Sequence, residues 1–416
     1  MPSVLPDGDL VPADGSLPAG ALAGLGHRPF GFYVHVPFCA TRCGYCDFNT
    51  YTATELGADG GHRASRDTYP DQAAAEIRFA RRVLSSPGPA SPPAVPVSTV
   101  FFGGGTPTLL APGQLGGLLR VIDGEFGLAA GAEVTVEANP ETITPQVLAQ
   151  LRAEGITRIS FGMQSAEPRV LAVLDRVHQP GRPAQCARWA REAGFEHVSL
   201  DLIYGTPGET DDDWRRSLDA ALAAGPDHIS AYALIVEDGT RLAARVRRGE
   251  LPAPDDDVMA DRYLIADEVL TAHGLSWYEV SNWAATPADR CAHNLLYWTG
   301  ADWWGVGPGA HSHVGGTRWW NVKHPAAYGA RVGAGCSPGL AREVLTQRQQ
   351  WLERVLLRTR LVTGCPLAEL DADGLAAAAS ATRRGLADPG AFAEGRVVLT
   401  TSGRLLADAV VRDLTG

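Results

Sequence analysis

Six short β-rich runs recur along the first half of the chain: Phe32–Val36, Thr99–Phe102, Glu133–Glu137, Arg158–Phe161, His197–Ile203 and His228–Leu234. Between them the apolar residues take up a helical period, over Asp71–Leu84, Pro145–Glu154 and Asp211–Ala224. The last of these opens on Asp211, Asp212 and Asp213, negative charge that a helix start favours. Strands alternating with helices predict βαβ units and a parallel sheet. Six units amount to an incomplete barrel, and in barrels the site lies at the C-terminal strand ends.

The pattern then changes. After Val236 the sheet pattern stops, and Trp277–Trp320 holds seven of the ten tryptophans. A helix with Trp351, Leu352 and Leu356 follows from Gln347, and Val397–Thr400 running into Ser402–Leu414 reads as a strand turning into a helix, a wing-like end. The expected units are a disordered tail over 1–28, a partial barrel over 29–236, a Trp- and His-rich extension over 237–340 and a helical domain over 341–416. Gly57–Asp67 is rich in glycine and charge, and Ser85–Pro96 carries five prolines in twelve residues. Both read as surface insertions without regular structure.

Composition narrows the class. A chain of 416 residues with 45% hydrophobic and 20% charged residues is ordinary for a globular protein. A net charge of -11 argues against a partner such as nucleic acid, bound through a basic surface. No apolar run reaches the roughly 18 residues of a membrane span, so membrane association is not indicated. The first 28 residues lack the basic start and apolar core of a signal peptide. Seven cysteines, three of them on one loop, suit a reducing compartment. A cytoplasmic location is the expectation.

That loop reads Cys39-Ala-Thr-Arg-Cys43-Gly-Tyr-Cys46, with Phe48 two residues on. Three thiolates so spaced can hold three corners of an iron–sulfur cube and leave one iron open to a small molecule. The alternatives are a partial zinc site, which lacks a fourth ligand on the loop, and buried small hydrophobes. The string from Tyr33-Val-His35-Val-Pro37-Phe38-Cys39 to Phe48 resembles the radical S-adenosylmethionine superfamily. Within it, the string is most similar to the anaerobic coproporphyrinogen III oxidase group and its sister group of heme chaperones. The resemblance covers roughly residues 30 to 415. It implies an α/β fold, an incomplete (β/α)6 barrel of the TIM type followed by a smaller, mostly helical domain. It also implies a 4Fe–4S cluster on Cys39, Cys43 and Cys46, with S-adenosylmethionine on the open iron.

Candidate cofactor residues fall at or just beyond strand ends. Phe102-Gly103-Gly104-Gly105-Thr106-Pro107 has three glycines that let backbone N–H groups approach a ligand; alone, it is also a common strand-to-helix turn. By resemblance Gly104, Gly105 and Thr106 hold the cofactor's amino group. Glu137 closes the third strand, either as a rim carboxylate in a structural hydrogen bond or, by resemblance, on the nucleoside. Gln164 offers donor and acceptor together, and Arg176 can clamp a carboxylate. Asp201, among apolar neighbours, suits a ribose. Tyr33 and Tyr45 match as packing or hydrogen-bonding groups, and Ala233 as a backbone contact.

Two features divide the sister groups. The oxidases carry a further cysteine where this chain has Phe48. His293-Asn294-Leu295-Leu296-Tyr297-Trp298 resembles the chaperones' His-Asn-x-x-Tyr-Trp signature, which implies heme binding. Histidine is an axial heme ligand, and Tyr297, Trp298, Trp303 and Trp304 offer flat apolar area. The stretch also suits a plain core, with His293 capping a helix. His311 and His313 are rival ligands; Cys291 is a thiolate candidate or a buried thiol, and Cys186, Cys336 and Cys365 read as structural. The expected function is a heme chaperone that passes heme to an unnamed acceptor protein. The alternative is oxidative decarboxylation of coproporphyrinogen III. RNA modification by a radical enzyme is weaker, for want of extra cysteine clusters and basic surface.

Overall fold

The computed structural model describes residues 7–56, 64–85, 95–176, 179 and 181–416. Most of both expected insertions, over 57–63 and 86–94, lies outside these residues, as do the first six of the expected tail.

The strands are β1 (Asp9–Leu10), β2 (Phe30–Val36), β3 (Val97–Gly104), β4 (Leu128–Ala138), β5 (Arg158–Gln164), β6 (His197–Tyr204), β7 (His228–Ala233), β8 (Ser276–Glu279), β9 (Asn282–Ala284), β10 (Asp302–Val306), β11 (His311–Val314), β12 (Thr317–Asn321) and β13 (Gly339–Val344). They form one sheet in the order β1-β13-β12-β11-β10-β2-β3-β4-β5-β6-β7-β9-β8. Each of β2 to β6 pairs in parallel with the next in sequence. This is the winding of a barrel, and all six expected strands are in it. The sheet stays open, with β10 parallel to β2 on one side and β9 antiparallel to β7 on the other.

Strand alternation sorts the side chains by chemistry. On β2, Phe30, Phe32, Val34 and Val36 are fully buried in the core shared with the helices. The opposite face of β4 to β7 carries Thr135, Glu137, Arg158, Ser160, Ser199, Asp201, His228 and Ser230, all lining one cavity. A parallel sheet packed on both sides would read as continuous apolar runs; this one is polar on its concave side because that side encloses a cavity.

Local sequence accounts for the helices that brace the convex side. Asp211–Ala223 starts with a capping box between Thr210 and Asp213 and buries Trp214, Leu218 and Ala221. Pro145–Ala153 starts on Thr144, whose hydroxyl accepts the Val147 N–H.

Two expectations are corrected. The sheet does not stop at Val236: β8 to β13 extend it on both sides, so the 237–340 stretch is built into the barrel's sheet. Nor are residues 7–28 a loose tail. Asp9 and Leu10 pair with Arg342 and Ala341, Ala21 and Leu25 are buried, and the Arg28 guanidinium donates to both Asp302 carboxylate oxygens at 3.1 Å. A Pro- and Gly-rich segment has no periodicity to read, yet its backbone can still complete a sheet edge. The helical end has its own core of Val355, Cys365, Ala378, Val397, Val410 and Leu414, with a small wing pairing β14 (Cys365–Pro366) and β15 (Arg396–Val397).

Candidate functional site

A cavity of about 520 Å³ opens at the C-terminal ends of β2 to β7. Cys39, Cys43 and Cys46 line it, together with Tyr45, Gly104, Gly105, Thr106, Glu137, Gln164, Arg176, Asp201 and Ala233. The fold thus collects twelve of the thirteen expected cluster and cofactor residues. Tyr33 is the exception. It stands outside the lining, its hydroxyl 3.1 Å from His35 Nδ1 and its ring beside Phe101 on the inner face of the sheet, and so packs against the lining from the side.

The cysteine loop is pinned along its length. The Cys39 N–H donates to the Tyr51 carbonyl at 3.0 Å, the Gly44 N–H to the Leu174 carbonyl at 3.1 Å, and the Leu242 N–H to the Gly44 carbonyl at 2.9 Å. All three cysteines are free thiols. A tetrahedral zinc site would need a fourth ligand, and the loop offers only the three cysteines. Burial raises the Cys39 thiol pKa and pushes Cys46 up to about 11, so iron binding must displace protons.

The glycine turn is shaped by what it touches. Gly104 has φ +108°, and a Cβ on it would come within 2.5 Å of the His35 ring; one on Gly105 would come within 2.5 Å of the Phe38 carbonyl. The Gly104 N–H donates to Glu137 at 3.1 Å. Thr106 donates its backbone N–H to the Phe38 carbonyl at 2.8 Å and sets its hydroxyl 4.0 Å from the Cys39 sulfur.

Around this turn stand the charged groups. Arg176 donates to the Cys43 sulfur at 3.4 Å and to the Gly162 carbonyl at 2.9 Å. Its Nε and the Gln164 Oε1 are buried without partners. Gln164 also has φ 62°, a strained conformation for a residue other than glycine. Unpaired buried polar atoms beside a cavity mark a place for a polar ligand. Asp201 accepts from the Ser160 hydroxyl at 2.9 Å. Burial raises its pKa, and burial together with the nearby Asp201 raises Glu137 to about 8. These groups fit S-adenosylmethionine: a cation for its carboxylate, acceptors for its amino group and hydroxyls.

The signature residues lie elsewhere. His293 is buried against the cavity-side face of β2 and β3 without lining the cavity, its ring stacked on Phe101 at 5.1 Å. Its Nδ1 is 2.8 Å from the Thr99 hydroxyl and its Nε2 2.9 Å from the Tyr297 hydroxyl, and burial lowers its pKa to about 3. Trp298 stands beside the buried Glu279 and draws its pKa down against the raising effect of burial. Neither His293, Tyr297 nor Trp298 lines the cavity, whereas Cys291 and Asn294 of the same segment do. Of the rivals, His313 bonds the Ala301 carbonyl at 2.9 Å and the Gly316 N–H at 3.2 Å, while the His311 Nε2 is buried without a partner. Cys186 is buried against the Pro140 carbonyl, and Cys365 is buried in the helical core.

Sequence reasoning missed Ser160, Ser199, His228 and Ser230 on the cavity wall. Their signal was the two-residue alternation of polar positions along β5 to β7.

This fold with three thiols at its open rim defines a radical S-adenosylmethionine protein. A profile of the Radical SAM superfamily matches residues 33–221. The chain is 53% identical over 395 residues to the heme chaperone HemW of Mycobacterium tuberculosis (strain ATCC 25618 / H37Rv), covering 95% of this chain and 97% of that one. It is 33% identical to HemW of Bacillus subtilis (strain 168), over 91% and 97% of the two chains. The solved structure of coproporphyrinogen III oxidase (HemN) from Escherichia coli superimposes with a TM-score of 0.78 at 25% identity, covering 95% and 92%. The chain belongs to the HemW heme chaperone family. The superfamily carries a 4Fe–4S cluster and S-adenosylmethionine, which together supply one-electron chemistry when bound. Among the described residues no helix is long and apolar enough to cross a membrane.

Proposed function

We propose that this protein is a cytoplasmic heme chaperone: it takes up heme beside its cluster and cofactor and hands it to an acceptor protein. Phe48 carries the reading. Where the oxidase resemblance calls for a further cysteine, a phenylalanine stands 46% exposed at the cavity mouth. It offers apolar contact at the position where the oxidase resemblance calls for a thiol.

The heme ligand follows from the signature. His293 is the imidazole it supplies, with Tyr297 and Trp298 as flat neighbours. Ligation through Nε2 requires the Tyr297 hydroxyl to yield its place, since both ring nitrogens are engaged. A neutral imidazole is the form that binds iron, and burial keeps His293 neutral. His311, with its unpartnered Nε2, is the second candidate.

The test uses one anaerobically reconstituted preparation. Wild type, His293→Ala and His311→Ala are titrated with heme, and wild type is incubated with coproporphyrinogen III, S-adenosylmethionine and reductant. Heme binding by wild type, a shifted Soret band in His293→Ala and no decarboxylated product are expected. Stoichiometric formation of protoporphyrinogen would overturn the chaperone reading. A Soret shift confined to His311→Ala would move the ligand there.

A further inference from the structure

Asn49 lies three residues past Cys46 and is not part of the cavity wall. Its side-chain Nδ2 donates to two backbone carbonyls, Pro308 at 3.0 Å and Lys323 at 2.8 Å. Its Oδ1 accepts from the Tyr51 hydroxyl at 3.1 Å, and its backbone carbonyl lies 2.9 Å from His35 Nε2. One carboxamide therefore ties the exit of the cysteine loop to the turn joining β10 and β11 and to the segment that follows β12.

The same turn is gripped from its other side. Glu76, on the helix Tyr69–Leu84, is fully buried and accepts from the Gly307 N–H at 2.8 Å, Asn321 Nδ2 at 2.8 Å and the Tyr328 hydroxyl at 2.5 Å. Asn321 Nδ2 also donates to the Gly307 carbonyl at 3.0 Å. A buried carboxylate is tolerable only with such donors, and they hold it in one place. The turn is shaped to the contact: at Gly309, with φ +73°, an added Cβ would come within 2.7 Å of Asn49 Nδ2.

We infer that Asn49 and Glu76 are positioning residues, a clamp that fixes the cysteine loop to the appended strands β10 to β12. Order in the loop and order in the Gly307–Ala310 turn then depend on each other, and ligand held by the loop stabilises the turn. The inference rests on reading Cys39–Cys46 as the cluster loop.

The experiment compares full-length wild type with Asn49→Asp, which keeps the shape and loses both donated bonds, and with Asn49→Ala and Glu76→Gln. Peptide-resolved hydrogen exchange is measured on the cluster-free proteins. Iron release to a chelator is then followed after anaerobic reconstitution. Exchange over 39–52 and 307–310 should quicken about tenfold in the Asn49 variants, as expected for the loss of one or two hydrogen bonds, with β4 to β6 unchanged. Iron should leave several-fold faster. Glu76→Gln should loosen 307–323 and, through the turn, 39–52. Unchanged exchange over 39–52 in both Asn49 variants would overturn the clamp, as would acceleration spread evenly over the chain. A wild type that takes up no iron would instead sink the cluster reading, leaving the exchange comparison to decide the clamp.

Discussion

Arg176 sets one guanidinium nitrogen 3.4 Å from the Cys43 sulfur and another 2.9 Å from the Gly162 carbonyl, so a single cation spans the cysteine loop and the end of β5. The remaining Nε is buried and unpaired. Replacing Arg176 with Lys keeps the charge but loses the planar fork. Arg176→Lys should weaken S-adenosylmethionine binding by roughly 10- to 100-fold, the worth of a charge-assisted hydrogen bond. Equilibrium dialysis on the reconstituted protein checks this; equal affinity would remove Arg176 from the cofactor site.

Cys39, Cys43 and Cys46 each supply one thiol to the same rim. Changing any one to Ala should abolish the brown absorbance and most of the bound iron after anaerobic reconstitution. Cys186→Ala and Cys365→Ala should keep both. Full iron content in the three rim variants would show that the metal sits elsewhere.

Glu137 has a pKa raised to about 8 by burial and by Asp201, against an ordinary 4.5. Its native form holds a proton that the unfolded chain gives up. Its contribution to stability is full below about pH 4.5 and falls as pH rises towards 8. Glu137→Gln keeps an acceptor for the Gly104 N–H without the charge. The cluster-free variant should match wild type near pH 5 and exceed it by ~1–3 kcal/mol at pH 9, since each tenfold difference in proton affinity between native and unfolded chain is worth about 1.4 kcal/mol. Denaturant titrations at the two pH values decide it, and parallel pH profiles would mean that the carboxylate is already solvated.

Arg158 and Glu133 form a buried ion pair at 2.8 Å. Glu133 also accepts the backbone N–H groups of Ala292 and His293 at 3.1 and 3.0 Å, which fastens the signature helix to β4. Glu133→Ala leaves a buried cation and uncapped donors, so a loss of about 3–5 kcal/mol is expected. Hydrogen exchange should quicken first over Ala292–Thr299. A loss below about 1 kcal/mol would mean that water replaces the carboxylate.

Gly105 faces the Phe38 carbonyl, backbone that cannot step aside. Gly105→Ala should shift the turn, cost roughly 2–4 kcal/mol by overpacking and impair cofactor binding. Gly124 is a control of the same type with open space around it, and Gly124→Ala should be neutral or mildly stabilising by thermal melt.

The sequence alone was enough for the six parallel strands, three of the helices between them and the cysteine loop. Each is written in neighbouring residues: alternation within β2 to β7, the cap at Thr210, the spacing of Cys39, Cys43 and Cys46. The rim residues Glu137, Gln164, Arg176 and Asp201 were legible through a family resemblance, because motif and strand end coincide. Tertiary structure decided what depends on distant partners. It turned Asp9–Leu10 into an edge strand on β13, added β8 to β13 to the sheet, and buried His293 between Thr99 and Tyr297. It also joined Asn49 to Pro308, 259 residues away. Periodicity and spacing record how a segment folds locally. Which strand it borders and which side chain meets it across the sheet depends on backbone donors and packing volumes, for which a single chain's pattern has no sign.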